Sequence, residues 1–96
     1  MAYVSVQTKK EIVATGEKIM NKGLLTDGYV KEKNYFSVAV FKNASEVNSH
    51  YCCLTYYDGE YSIEYFNTEK EIDAQECGTF KTATGAVNKI VKKLGA

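Results

Sequence analysis

The dipeptide Asp58-Gly59 stands between HYCCLTYY (residues 50–57) and EYSIEYF (residues 60–66), and no other feature restricts the fold of this chain so tightly. Two residues of this type between runs rich in aromatic and β-branched side chains predict an antiparallel hairpin, because the tightest turns need positive φ at their central positions. A two-residue loop also sets the register. Tyr57 should face Glu60, Tyr56 should face Tyr61, Leu54 should face Ile63 and Cys52 should face Tyr65. Side chains alternate along a strand, so Cys52, Leu54, Tyr56, Tyr61, Ile63 and Tyr65 share one face. Phe36, Val38 and Val40 join them from a preceding strand read over YFSVAVFK, Tyr35 to Lys42. The other face takes Tyr35, Phe41, Tyr51, Cys53, Thr55, Tyr57, Glu60, Ser62, Glu64 and Phe66. Only the first face is free of charge, and it is the predicted core.

Helices are expected at both ends. Thr8 and Glu11 form a T-x-x-E capping signal, Gly23 stands where a C-terminal glycine belongs, and Ile12, Val13, Gly16, Ile19 and Met20 trace an apolar stripe between them. Near the C-terminus, Thr82 is the expected N-cap, followed by Ala83, Ala86, Val87, Ile90, Val91 and Leu94 at helical spacing. Lys89, Lys92 and Lys93 fall on the opposite side, where cations meet the negative end of the helix dipole. Thr26-Asp27-Gly28 and NASEVNS (residues 43–49) read as turns, TEKEIDAQE (residues 68–76) as an acidic connection, and Cys77 to Phe80 as a short fourth strand. The expected architecture is α+β, a single domain over residues 1–96. One antiparallel sheet of three to four strands carries both helices on its charge-free face.

Composition narrows the function. Twelve basic residues balance twelve acidic ones, and every basic one is lysine. Arginine is the usual reader of guanine edges and the bidentate clamp for phosphate, so its absence at zero net charge argues against sequence-specific DNA binding. The charges are unevenly placed: from Glu46 to Glu76 there are eight acids and one lysine, whereas from Lys81 onward there are four lysines and no acidic side chain. No apolar run approaches the roughly 20 residues of a membrane span, and MAYVSVQTKKEI does not read as a signal peptide, so a cytoplasmic location is expected. Lysine without arginine, no proline, and many Tyr, Asn and Ile point to an AT-rich coding genome, as in low-GC bacteria and their phages. Cys52, Cys53 and Cys77 give no disulfide framework, and the adjacent pair points to opposite faces of a strand, which disfavours shared metal ligation. His50, the one histidine, lies two residues from Cys52 with no third group to orient it. No Walker loop, glycine-rich dinucleotide motif or metal-ligand spacing is present, so neither an enzyme, a cofactor nor a metal is expected.

Two resemblances bear on function. The order helix, strands, helix, with GTFKTATGAVNKIVKKL (residues 78–94) closing the chain, loosely resembles double-stranded-RNA-binding domains. That resemblance implies a nucleic-acid surface at Lys81, Lys89, Lys92 and Lys93, although the family's lysine cluster sits at the start of the last helix and here only Lys81 does. In size and style the chain resembles phage or mobile-element accessory inhibitors, anti-CRISPR and anti-restriction proteins among them. The favoured expectation is a non-enzymatic protein that masks a basic, nucleic-acid-handling host protein. Its binding surface would comprise Tyr35, Tyr51, Tyr57, Glu60, Glu64, Phe66, Glu69, Glu71, Asp73 and Glu76, with carboxylates where phosphates would otherwise sit. The alternatives are an RNA-binding module and a structural homodimer.

Overall fold

The computed structural model describes residues 3–42 and 50–95. Helix α1 (Val6–Asn21) leads into strands β1 (Leu25–Glu32), β2 (Tyr35–Phe41), β3 (His50–Tyr57), β4 (Glu60–Asn67) and β5 (Ile72–Phe80), and α2 (Ala83–Leu94) closes the fold. The strands make one antiparallel meander in the order β1-β2-β3-β4-β5. The α+β class and the placement of both helices on one face agree with expectation. The sheet, however, has five strands rather than three to four. The NASEVNS turn lies outside the described residues.

The central hairpin is as the sequence predicts. Leu54 pairs with Ile63, Cys52 with Tyr65, Tyr56 with Tyr61 and Tyr57 with Glu60. The turn has φ of 46° at Asp58 and 90° at Gly59, and the Asp58 N–H donates to the Asn34 carbonyl at 2.9 Å, tying it to the β1–β2 turn. Nothing stands within 4 Å of a Cβ placed on Gly59, so a substitution there tests backbone conformation alone. Gly59→Val should cost about 1–3 kcal/mol and Gly59→Asn clearly less, because asparagine tolerates positive φ. Equal losses for the two in urea titrations would refute this account of the turn.

Both edge strands are concealed in the sequence, for one reason. Thr26-Asp27-Gly28 is not a turn between elements but a bulge inside β1. Asp27 pairs with Ala39 and Val30 with Ser37, so three steps on β1 match two on β2. Gly28, at φ 70°, takes up the extra residue, and its N–H donates to Asp27 Oδ1 at 2.8 Å. Likewise β5 begins at Ile72, within the predicted acidic connection, and shifts register twice, around Ala74 (φ 52°) and Gly78 (φ 105°). Bulges disguise the two-residue alternation by which strands are recognised, and they concentrate at edges, where they discourage pairing with other chains.

Helix α1 also departs from its predicted details. Its N-cap is Ser5, whose Oγ accepts from the Thr8 N–H at 3.1 Å. Thr8 is instead buried in the first turn and donates to the Lys33 carbonyl at 2.8 Å, anchoring the helix to the β1–β2 turn. Glu11 does not close a capping box; it accepts from the Tyr61 hydroxyl. The inward stripe runs Thr8, Ile12, Thr15 and Ile19, while Val13 and Met20 are 60% and 72% exposed. Polar threonines with partners inside the fold displaced the apolar residues expected there. The C-terminus behaves as predicted: Gly23 is left-handed, its N–H donates to Met20 and the Leu24 N–H donates to Ile19, so Leu24 and Ile19 enter the core together.

Under the helices lies one core of Phe36, Val38, Val40, Cys52, Leu54, Tyr56, Tyr61, Ile63 and Tyr65 from the sheet, with Ile19 and Leu24 from the α1 side. Helix α2, capped by Thr82, contributes Ala83, Ala86, Val87, Ile90 and Leu94. No buried side-chain nitrogen or oxygen among the described residues lacks a hydrogen-bond partner.

Candidate protein-binding sheet face

With both helices on the core face, no helix or strand among the described residues covers the second face of the sheet. The strand registers arrange its side chains in four bands running across the strands. At one end Leu25, Phe41, Tyr51 and Phe66 fall in line. The Phe41 and Tyr51 rings are 5.4 Å apart, and Tyr51 stacks on Phe66 at 4.9 Å with an interplanar angle of 10°. Next comes a band of Asp27, Ala39, Cys53, Glu64 and Glu76. A hydroxyl-rich band follows, Val30, Ser37, Thr55, Ser62 and Thr79, and the far end is Glu32, Tyr35, Tyr57 and Glu60. Apart from the exposed Tyr57 and Glu60, the β2, β3 and β4 members of these bands are half-buried by one another.

The five strands thereby organise the charge in a way that no single segment reveals. The paired positions on this face carry the carboxylates Asp27, Glu32, Glu60, Glu64 and Glu76 and no lysine. The helices, by contrast, present Lys9, Lys10 and Lys18 on α1 and Lys89, Lys92 and Lys93 on α2, against only Glu11 and Glu17. The chain is neutral in sum and bipolar in space. A negative face attracts basic partners and orients them on approach, an effect that falls as salt rises.

The predicted surface residues do not all join this face. Tyr35, Tyr51, Tyr57, Glu60, Glu64, Phe66 and Glu76 occupy it together. Glu69 and Glu71 lie in the β4–β5 turn, where the Glu71 N–H donates to Thr68 and its φ is 57°. Asp73 is exposed on β5 beside the bulge at Ala74. Both Asp73 and Glu76 also charge an edge strand, which by itself opposes edge-to-edge association. Strand β1, hidden in the sequence by its bulge, adds Leu25, Asp27, Val30 and Glu32 to the face, and β5 adds Thr79.

Of the lysines considered for nucleic acid, Lys81 is engaged with Glu60 (Nζ to Oε2, 2.8 Å), and Lys93 Nζ lies 4.8 Å from the centre of the Tyr65 ring. Lys89 and Lys92 line a shallow hollow with Phe80, Gly85 and Asn88. The Lys81–Glu60 pair is largely exposed and contributes about 0–1 kcal/mol.

The thiols and the histidine have structural surroundings. Burial pushes the Cys52 thiol up to about 12, so it is protonated at neutral pH. Burial also raises Cys53, opposed by a hydrogen bond with Thr55 and reinforced by the Glu64 charge. His50 Nδ1 is 3.2 Å from the Tyr65 hydroxyl, which accepts from the buried Asn67 amide at 2.9 Å. Among the described residues, no group of three or more His, Cys, Asp or Glu side chains could hold a metal ion, and no helix is long and apolar enough to cross a membrane. Comparison of the chain with protein-family models, with curated proteins and with solved structures finds no match.

Proposed function

We propose that this is a non-enzymatic binding protein that masks a basic, nucleic-acid-handling protein with its open sheet face. The observation that carries the reading is the combination on one face of stacked aromatics, small residues and carboxylates, with no lysine at its paired strand positions and only Glu60 neutralised, by Lys81 at its margin. Uncovered apolar surface on a small domain usually serves an interface, tyrosine is enriched at binding hot spots, and carboxylates can stand in for the phosphates a basic channel normally receives. The phage or mobile-element setting, in which such a protein acts as an anti-CRISPR or anti-restriction inhibitor in the host cytoplasm, rests on size and composition alone.

The test is affinity capture from bacterial lysate with the wild-type protein and with the Tyr57→Ala/Glu64→Lys double variant. Neither side chain enters the core, and Tyr57 is 64% exposed, so melting temperature and circular dichroism should stay near wild type. Recovery of a basic partner should fall at least tenfold. Equal recovery by both proteins would remove the sheet face from the interaction. The RNA reading has its own support in the helix-layer lysines. It predicts duplex-RNA binding that survives the sheet-face changes, weakens steeply with salt and disappears on reversal of Lys81, Lys89 and Lys92. A stable dimer in sedimentation, dissociated by Tyr57→Ala, would instead assign the face to self-assembly.

A further inference from the structure

Resting on that reading, we infer that the open face receives a basic amphipathic α-helix laid along strands β2 and β3, with cations on both of its flanks. The registers divide the face lengthwise as well as across. Asp27 and Glu32 line the β1 side, Glu64 and Glu76 line the β4–β5 side beyond Glu60, which Lys81 already engages, and the β2–β3 positions between them, from Tyr35 to Phe41 and from Tyr51 to Tyr57, carry no charge. The two acidic rails, on β1 and β4, are three strand spacings apart, roughly 14 Å. A helix with its side chains is about 10–12 Å across, so it fits between the rails with lysines or arginines reaching out to each.

The strip has ends as well as sides. Phe41 and Tyr51 close one end and Tyr35 and Tyr57 the other, roughly 20 Å apart along the strands, which matches about thirteen helical residues. Between them Ser37, Ala39, Cys53 and Thr55 are small, leaving a saddle for the large apolar side chains of an incoming helix. An added strand is the wrong shape for this site, because strand addition uses sheet edges and both edges here are bulged. The opposite face of the same sheet already packs two helices. Helix α1 of a second copy is a poor occupant: Val13 and Met20 are exposed, but Glu17 lies between them on the same side and would meet the carboxylates.

The probe is a fluorescent synthetic peptide of about 16 residues, with leucines on one helical stripe and lysines on both flanks, titrated at about 0.1 M salt. Controls are a scrambled peptide of equal composition and a helix with lysines on one flank only. The two-flank helix should bind at least tenfold more tightly than either control. It should shift the amide resonances of Ala39, Cys53 and Thr55, and Glu32→Lys and Glu64→Lys should each weaken it by about tenfold, since they reverse opposite rails. Equal affinity for the scrambled peptide, resonance shifts confined to the helices, dependence on one rail only, or no binding at millimolar peptide would each overturn the helix. So would concentration-dependent self-association of the chain abolished by Met20→Glu. Capture of a basic protein that is lost with Tyr57→Ala/Glu64→Lys, but no binding of the helical peptide, would retire the helix and leave the masking function intact. Capture unaffected by the face variant would retire both.

Discussion

Ile90→Asp should unfold the domain or strongly lower its melting transition. Ile90 is fully buried in the face of α2 that seals the core, and its neighbours Ala86, Val87 and Leu94 leave no route to water. A carboxylate placed there must either remain charged without a partner or take up a proton. Either way the cost is on the order of 3 kcal/mol or more. A domain of this length commonly has a total stability of about 5–14 kcal/mol, so that loss is a large fraction of what it possesses. The control is Lys92→Glu with Lys93→Glu. Those changes remove the cation above the Tyr65 ring and place acids at the negative end of α2, each effect being about 0.3–1 kcal/mol. Thermal melts should therefore show a lost or strongly lowered transition for Ile90→Asp and a modest shift for the lysine pair. Comparable losses would mean that α2 presents a different face to the sheet.

Alkaline pH should unfold the protein through its core, while stability stays level from pH 7 to about 9. Burial raises the Cys52 thiol from 9.0 to about 12. Burial together with the hydrogen bond to Glu11 raises the Tyr61 phenol, and burial and the Glu11 charge raise Tyr56. In each case the folded state holds the neutral form and the unfolded chain ionises first. The stabilisation is thus complete below the unfolded values of 9.0 for cysteine and 10.0 for tyrosine, and it is lost as pH climbs toward the folded ones. At roughly 1.4 kcal/mol per unit, Cys52 alone withdraws about 3 kcal/mol by pH 11. Urea titrations between pH 7 and 11 under reducing conditions measure the slope. Cys52→Ala should lower stability overall yet flatten its fall above pH 9, and an unchanged slope in that variant would clear Cys52 of the effect.

Local chemistry was enough to specify the centre of this molecule. Asp58-Gly59 admits one kind of turn, and a two-residue turn admits one register, so the apolar core side chains of β3 and β4 are legible in the sequence itself. The periodicity of α2 and the cap at Thr82 were equally local, because a helix repeats within its own segment. Glycine misled at β1 because Gly28 in a bulge and Gly28 in a turn look alike in sequence; only the pairing of Asp27 with Ala39 and Val30 with Ser37 distinguishes them. Thr8 misled at α1 because its partner, the Lys33 carbonyl, is distant in sequence. The candidate site divided along the same line. Which residues of β2, β3 and β4 face away from the core followed from alternation. That Asp27 and Glu32 stand across from Glu60 and Glu64, with an uncharged strip between them, depends on which strand lies beside which. Strand order is settled by long-range pairing and helix packing, and no stretch of sequence contains it.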